Sequence, residues 1–501
     1  MTHARVVAAS CHAAGIKTKL LILPVAAKGD VSDYLSDHSK DELRALGGAA
    51  PLFTLEAEAD APAVARPVPR TLADVHRVFR RWLGESYDLD ALNAVLATGA
   101  SERLTGDPLW LLLISGSGNA KTETVQPLAG AGAIVTSTIT SEGALLSGSP
   151  RRERATDATG GLLRRLGDHG LLVIKDVTSI LSMNRDTRAS LLAALREIHD
   201  GRWERNVGTD GGKTLTWTGR LVIVGAVTTA WDRAHDVIAS MGDRFVVVRM
   251  DSHVGRLEAG NRARRNTGDE DTMRAELAAC VGGLLETVDR AHQVEITDDE
   301  ETRLVAAADV VTLARTGVDF DYRGDVIDAH APEMPTRFVK QLYQLIRGAT
   351  AIGLSRPDAM RLAIRCARDS MPPLRLAILD DVARFPGTLT RDVRKRLGKP
   401  RATVDRQLQA LHMLGVLTCN EEEGENFGKS VTRWRYQLAP GINPDVLDPD
   451  TVPDLSPHKV FGEKERDERA VTHTDISGTV PGGAAKEGDD AADQRGHAAR
   501  R

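Results

Sequence analysis

Aromatic residues make up only 4% of this 501-residue sequence, so its cores must be packed with Leu, Val, Ile and Ala. Cysteine is nearly missing too. The four that occur, Cys11, Cys280, Cys366 and Cys419, are far apart in the chain. No pair has the spacing of a zinc site and nothing suggests a disulfide framework, which points to reduced thiols in a cytoplasmic protein. No apolar run approaches the roughly 18 residues that span a bilayer. The first residues also lack the apolar stretch of a signal peptide, so no membrane association is expected. An excess of basic charge is absent as well. The net charge is −5, and any nucleic-acid signal must come from local patches.

What is present suits a globular protein. Hydrophobic residues at 42% and charged residues at 27% allow real cores. The length suggests about two to four domains. Residues 1–47 read as a helix, a short buried strand at 19–23, a loop KGDVSDYL and a helix around 40–46. Residues 48–70 are rich in Ala and Pro and read as a linker. From Thr71, a plausible N-cap, an amphipathic helix leads into a segment with apolar strands at 109–114, 171–174, 221–227 and 245–248. Helical stretches separate them. Strands buried on both faces with helical crossovers imply an α/β core with a mostly parallel sheet over 71–270. Residues 271–370 read as an α-helical lid, 371–438 as a separate small module, and 439–501 as a disordered tail with one aromatic, Phe461.

The stretch SGSGNAKTETV, 115–125, follows the buried run LLLI. Strand, Gly-containing loop, then Lys-Thr opening a helix is the arrangement that phosphate binding requires. Backbone N–H groups and the helix N-terminus accept the anion, Lys reaches the terminal phosphates, and the Thr hydroxyl holds Mg²⁺. Gly116, Ser117, Gly118, Asn119, Ala120, Lys121, Thr122 and Glu123 are therefore expected to hold a nucleotide. The usual pattern has glycine where Ser115 and Ala120 stand. Gly116 and Gly118 still allow close backbone approach, and Ala120 is tolerated if its φ is negative.

Ala before Lys resembles the phosphate loop of the minichromosome-maintenance-type helicases, a branch of the AAA+ ATPases. The resemblance implies a P-loop AAA+ core that uses ATP and Mg²⁺ and carries a set of further site residues. In LLVIKDV, 171–177, Asp176 takes the place of the metal-side or water-polarising carboxylate. Either Lys175 replaces the family's Asp and Asp176 its Glu, or the strand slips by one and Asp176 stands on the metal side. The hairpin signal at 209–212 resembles the pre-sensor hairpin of this branch, with Lys213 near a tip directed at DNA. Thr228 stands at the polar sensor position, with Thr229 as neighbour. Arg244 resembles the arginine that enters the next subunit's site, and Arg337, opening the helix at 335–353, the second sensor that reaches the γ-phosphate. Asp176, Thr228, Arg244 and Arg337 form the implied catalytic set, and Thr122 and Asp176 the metal set. A homo-oligomeric ring, hexameric in the family, follows from the resemblance.

Residues 371–438 resemble a winged helix-turn-helix. Helices at 374–384, 391–398 and 401–415 precede a strand, a loop and a returning strand, with Thr390 as a candidate N-cap. Between 384 and 417 eight Lys and Arg face two Asp. That patch suits phosphates while the third helix enters a major groove. Lys399, Arg401, Thr403, Arg406 and Gln407 would contact DNA, with Lys429 and Arg433 near the acidic wing. The N-terminal KTKLLILPVAAKGDVSDYL resembles the last strand and loop of primase Toprim domains. Asp30 and Asp33 are then remnants, the family's other metal ligands lying upstream, and no primase activity is expected from this chain. A truncated gene, a misplaced start or a split primase–helicase would each account for that. The function expected is that of an ATP-binding and ATP-hydrolysing, DNA-associated helicase-type protein of a phage, plasmid or integrated element. The alternatives are a nucleotide-sensing DNA-binding regulator with little hydrolysis, and an adaptor docking a separate primase.

Overall fold

The computed structural model describes residues 18–19, 21, 23, 31–50, 67–148, 159–208, 212–233, 244–426 and 429–453. Asp30 and residues 20 and 22 of the expected strand at 19–23 lie outside them, as do 51–66 of the linker, the hairpin turn at 209–211 and the tail from 454. The segment read as a loop is helical over α1 (Val31–Asp37), followed by α2 (Lys40–Ala49). Ser39 and Glu42 form the capping box that starts α2.

The main body opens with α3 (Leu72–Leu83), capped by Thr71 in a capping box with Asp74. Next come α4 (Leu89–Ser101), apolar on nearly every face and buried, and β1 (Trp110–Ile114). The phosphate-loop segment leads into α5 (Lys121–Val125). Then follow β2 (Ile134–Thr136), β3 (His169–Ile174), α6 (Arg185–His199), β4 (Arg202–Val207), β5 (Lys213–Thr218), β6 (Arg220–Val227) and β7 (Val246–Arg249).

Five of these strands form one sheet in the order β2-β3-β6-β1-β7, and every pairing in it is parallel. The pleat sorts β1 between two cores. Leu111 and Leu113 face one, Trp110, Leu112 and Ile114 the other. Both faces are covered, which is why the strands read as unbroken apolar runs. Only β2 escaped the sequence reading. It is three residues long and half-buried at the sheet's edge, too short to show a period. β4 and β5 pair antiparallel outside this sheet, from Arg202↔Thr218 to Val207↔Lys213.

Beyond the sheet lie α7 (Arg256–Arg265), α8 (Glu270–Glu286) and α9 (Asp298–Arg315). The lid region is not purely helical. A hairpin of β8 (Val318–Phe320) and β9 (Val326–Ala329) precedes α10 (Thr336–Ala351) and α11 (Arg356–Asp369). Phe338, Leu342, Leu345 and Ile346 of α10 are fully buried. A Cβ at Gly348 would lie 2.1 Å from the Ala97 carbonyl of α4, so only glycine allows this crossing.

The C-terminal part contains α12 (Pro373–Arg384), β10 (Thr388–Leu389), α13 (Thr390–Leu397) and α14 (Arg401–Met413). β11 (Leu417–Asn426) and β12 (Lys429–Leu438) complete a three-stranded sheet, order β10-β12-β11. Val404, Leu408, Leu411 and Leu414 turn inward. Thr390 does not cap α13. It is the first helical residue, and its hydroxyl donates to Asp405 of α14 at 3.0 Å.

One boundary is corrected. The tail expected to lack structure from 439 is folded as far as 453. Short helical turns at Pro444–Leu447 and Pro449–Thr451 bury Leu447, and Arg303 of α9 donates to the carbonyls of Asp448 at 2.6 Å and Thr451 at 3.0 Å. The Pro/Asp composition reads as coil. Asn443 and Asp448 instead cap these turns, and one arginine satisfies their carbonyls. Among the described residues no helix is long and apolar enough to cross a membrane.

Candidate nucleotide site

The carboxyl ends of β3, β6 and β1 lie side by side because the strands are parallel neighbours. Each delivers polar residues to the same edge: Lys175 and Asp176 after β3, Thr228 after β6, and the 115–120 loop after β1. They line one cavity of about 900 Å³ together with Ser117, Gly118, Asn119, Ala120, Lys121, Thr122 and Glu123. Such an edge is where open α/β sheets bind ligands. This α/β core fits the layout of a P-loop fold.

The loop is held from behind. The Asn119 amide donates to the Ser115 hydroxyl at 2.6 Å and to the Asp251 carbonyl at 3.0 Å. The Gly116 amide donates to the Ser252 hydroxyl at 3.0 Å, so Gly116 itself does not line the cavity. The Lys121 ammonium is folded back, donating to the Ser115 carbonyl at 3.2 Å and to the Gly116 carbonyl. Burial lowers its pKa, and the nearby Asp176 carboxylate opposes that shift. Asp176 is exposed and accepts from the Thr178 amide at 2.9 Å, and the Thr178 and Thr228 hydroxyls lie 3.4 Å apart. Thr229 does not line the cavity.

Ala120 departs from expectation. Its φ of 47° and ψ of 21° are left-handed, and it is the only non-glycine residue with positive φ among those described. The loop demands the conformation that glycine usually supplies, and the chain accepts the strain. Ala→Gly here relieves about 1–2 kcal/mol of left-handed strain. It returns some of that through a more flexible unfolded chain. Ala120→Gly is therefore expected to raise stability by about 0.5–1 kcal/mol, read from urea denaturation midpoints.

For Mg²⁺, Thr122 and Asp176 offer one hydroxyl and one carboxylate. That is a fitting set for an ion that keeps several waters and takes its other ligands from substrate phosphates. Among the described residues no cluster of three or more His, Cys, Asp or Glu could hold a metal unaided.

The two arginines of the expected catalytic set are not at this cavity. Arg244 is mostly buried and pairs with Asp200 at 3.5 Å, while Arg337 pairs with Glu333 at 3.4 Å. Burial first, then the nearby Arg337 guanidinium, lowers the pKa of Arg244. Burial first, then Arg244 and Arg337, hold the His199 imidazole down to about 4, against the pull of Asp200. Arg337, read as the second sensor that reaches the γ-phosphate, does not line the cavity and lies near Arg244.

Several cavity residues went unnoticed in the sequence. Arg262 of α7 and Arg274 of α8 bring the cationic side chains that Arg337 does not. Trp82, Leu83 and Met273 supply an apolar end. Helix α7 buries no residue. It is fastened across the cavity by Glu258, which accepts from the Ser86 hydroxyl at 2.7 Å and the Glu85 amide at 2.8 Å. Those hydrogen bonds, Ser86 first, hold the Glu258 carboxyl below the usual carboxylate range. No motif spacing marks these residues. The one available signal was the arginine-rich run GNRARR, 260–265.

Of the expected DNA contacts, Lys213 is exposed at the start of β5, and Lys399, Arg401 and Thr403 are exposed at the start of α14. Arg406 and Gln407 are engaged with protein. Arg406 donates to the Arg323 carbonyl of the β8–β9 turn at 2.8 Å, and Gln407 accepts from the buried Arg375 at 2.9 Å. Arg433 is half-buried, close enough to help lower the Glu422 carboxyl, whose main partner is Arg435. Lys429 pairs in the β11–β12 ladder, and its side chain lies outside the described residues.

No protein-family model and no curated protein matches this chain. Among solved structures it is similar to one described as "SCCmec type IV Cch - active helicase", with a TM-score of 0.32 and 10% identity, over 79% of this chain and 76% of that one.

Proposed function

We infer that this chain binds ATP with Mg²⁺ at the strand-end cavity and hydrolyses it in association with DNA, as an AAA+ protein of the helicase type. The observation that carries the reading is the convergence of Lys121, Thr122, Asp176 and Thr228 on one cavity from three neighbouring parallel strands. The Ser117–Ala120 backbone and the start of α5 present N–H groups to phosphate oxygens. Lys121 turns from its two carbonyls to the terminal phosphates. The ion held by Thr122 and Asp176 would neutralise charge developing on the transferred phosphoryl group. Thr228 and Asp176 orient a water in line with the bond from γ-phosphorus to its bridging oxygen. That bond breaks as the water oxygen attaches and a water proton passes to the phosphate formed, yielding ADP and inorganic phosphate.

Arg244 and Arg337 sit together outside the cavity of their own chain. They suit a ring in which this pair completes the site of the adjacent copy. In the 371–438 module, read as a winged helix, the exposed Lys399, Arg401 and Thr403 are the DNA contacts that the packing leaves available.

A second reading, a nucleotide-sensing regulator with slow hydrolysis, is favoured by Lys175 beside a lone Asp176 and by the strained Ala120. ATP turnover measured with and without single- and double-stranded DNA separates the two. A several-fold rise with DNA is expected of the motor. Turnover indifferent to DNA sinks the motor and leaves the regulator.

A further inference from the structure

The cavity has two chemically different ends. Lys121, Thr122, Asp176 and Thr228 mark the phosphate end. The other end lies between α3 and the α7–α8 pair, where Trp82, Leu83 and Met273 present apolar surface. A nucleotide gripped by the loop therefore has this slot for its base, and an aromatic or aliphatic slot suits any purine face. What reads the purine edge must be a polar group in the slot.

Asn266, at the C-terminal end of α7, is such a group. Its backbone amide is used within the helix, on the Arg262 carbonyl at 3.0 Å. Its side-chain amide nitrogen donates to the Trp82 carbonyl at 2.8 Å and approaches the Met273 sulfur at 3.9 Å. The Trp82 carbonyl can only accept, so it fixes which end of the amide faces it. The nitrogen is turned to α3, and the oxygen Oδ1 has no protein partner among the described residues. Trp82 is itself anchored, its indole N–H donating to Glu276 at 2.8 Å. Glu270, another acceptor lining the cavity, spends one carboxylate oxygen at the start of α8, where it accepts from the Gly268 amide at 2.8 Å.

We propose that Asn266 is the residue that selects adenine, its Oδ1 accepting a hydrogen bond from the exocyclic amino group of the base. The proposal rests on the nucleotide reading above and adds the residue that reads the base. A lone acceptor at this point pairs with the 6-amino group of adenine and meets the 6-keto oxygen of guanine acceptor to acceptor. A mispaired polar edge is rejected more strongly than a missing methylene. Trp82 acts through Asn266: its carbonyl orients the amide and does not itself touch the base.

The test compares Mg²⁺ complexes of ATP, GTP and purine riboside triphosphate, which lacks the amino group, by equilibrium binding to the full chain. Wild-type protein is expected to bind ATP about tenfold more tightly than either analogue. In Asn266→Ala the three affinities are expected to fall within about twofold of one another. The ratio between nucleotides, not the absolute affinity, is the readout, so general loosening of α7 in the variant cancels. The wild-type comparison needs no variant and stands even if the variant fails to fold. Equal wild-type affinity for ATP and the analogue lacking the amino group overturns the assignment and leaves the ATP reading intact. An unchanged ratio in a folded Asn266→Ala protein does the same. No binding of any of the three by wild-type protein overturns the nucleotide reading and this inference together.

Discussion

Lys121→Ala is expected to lower ATP turnover about 100-fold or more and to weaken ATP binding about tenfold, while leaving the unfolding midpoint nearly unchanged. Lys121 is the only lysine in the loop, and it lines the cavity beside Thr122. It is poised rather than locked. Two loop carbonyls hold it, and burial already disfavours its charge, with Asp176 opposing. A triphosphate offers a stronger acceptor, and the charge-assisted bond to it is what the alanine removes. The half-buried Gly116 carbonyl and the Ser115 carbonyl lose one donor, a small cost to the fold. Steady-state turnover and titration with a fluorescent ATP analogue give the two numbers. Binding and turnover equal to wild type would remove Lys121 from the site and with it the central assignment.

Arg375→Ala is expected to cost about 3–5 kcal/mol of stability and to open the C-terminal module to protease. Arg375 is 2% exposed on α12 and reaches three acceptors. It donates to the Ala314 carbonyl at 2.8 Å and the Thr316 carbonyl at 2.7 Å, at the C-terminal end of α9, and to the Gln407 side chain at 2.9 Å on α14. The cation therefore faces the negative end of a helix dipole and closes off carbonyls that have no partner within the helix. Alanine leaves those acceptors buried without a donor and a guanidinium-sized space beside them. Both penalties fall at the junction of α9, α12 and α14, so the module and the lid lose their tie together. Urea denaturation and limited proteolysis read the two effects. A loss below about 1 kcal/mol would mean that water replaces the guanidinium at this junction.

Much of the phosphate end was legible in the sequence because a parallel sheet makes strand ends countable. Each unbroken apolar run must stop at the same edge, so the polar residues after LLLI, LLVI and LVIVGAV were bound to meet. The base end was not legible. Trp82, Asn266 and Met273 come from three helices whose spacing says nothing of a cavity, and Asn266 acquires its role only from the Trp82 carbonyl 184 positions away. Ala120 was misjudged because the sequence shows a residue type and not the dihedral that a loop, tied down by Ser252 and Asp251, imposes on it. Arg337 shows a similar limit. Its place at a helix start was foreseen, but its pairing with Glu333 and its nearness to Arg244 were not.

Local order belongs to the sequence alone: which runs are strands, where Thr71 and Gly398 bound helices, and that Lys121 and Thr122 follow a buried strand. These depend on periodicity and caps, which act over a few residues. The tertiary structure alone decided which side chains meet across a cavity, which arginines are held away from it, and which expected DNA contacts, Arg406 and Gln407, are taken by the protein itself. Such partnerships depend on packing directions between distant helices, and short-range pattern carries no record of them.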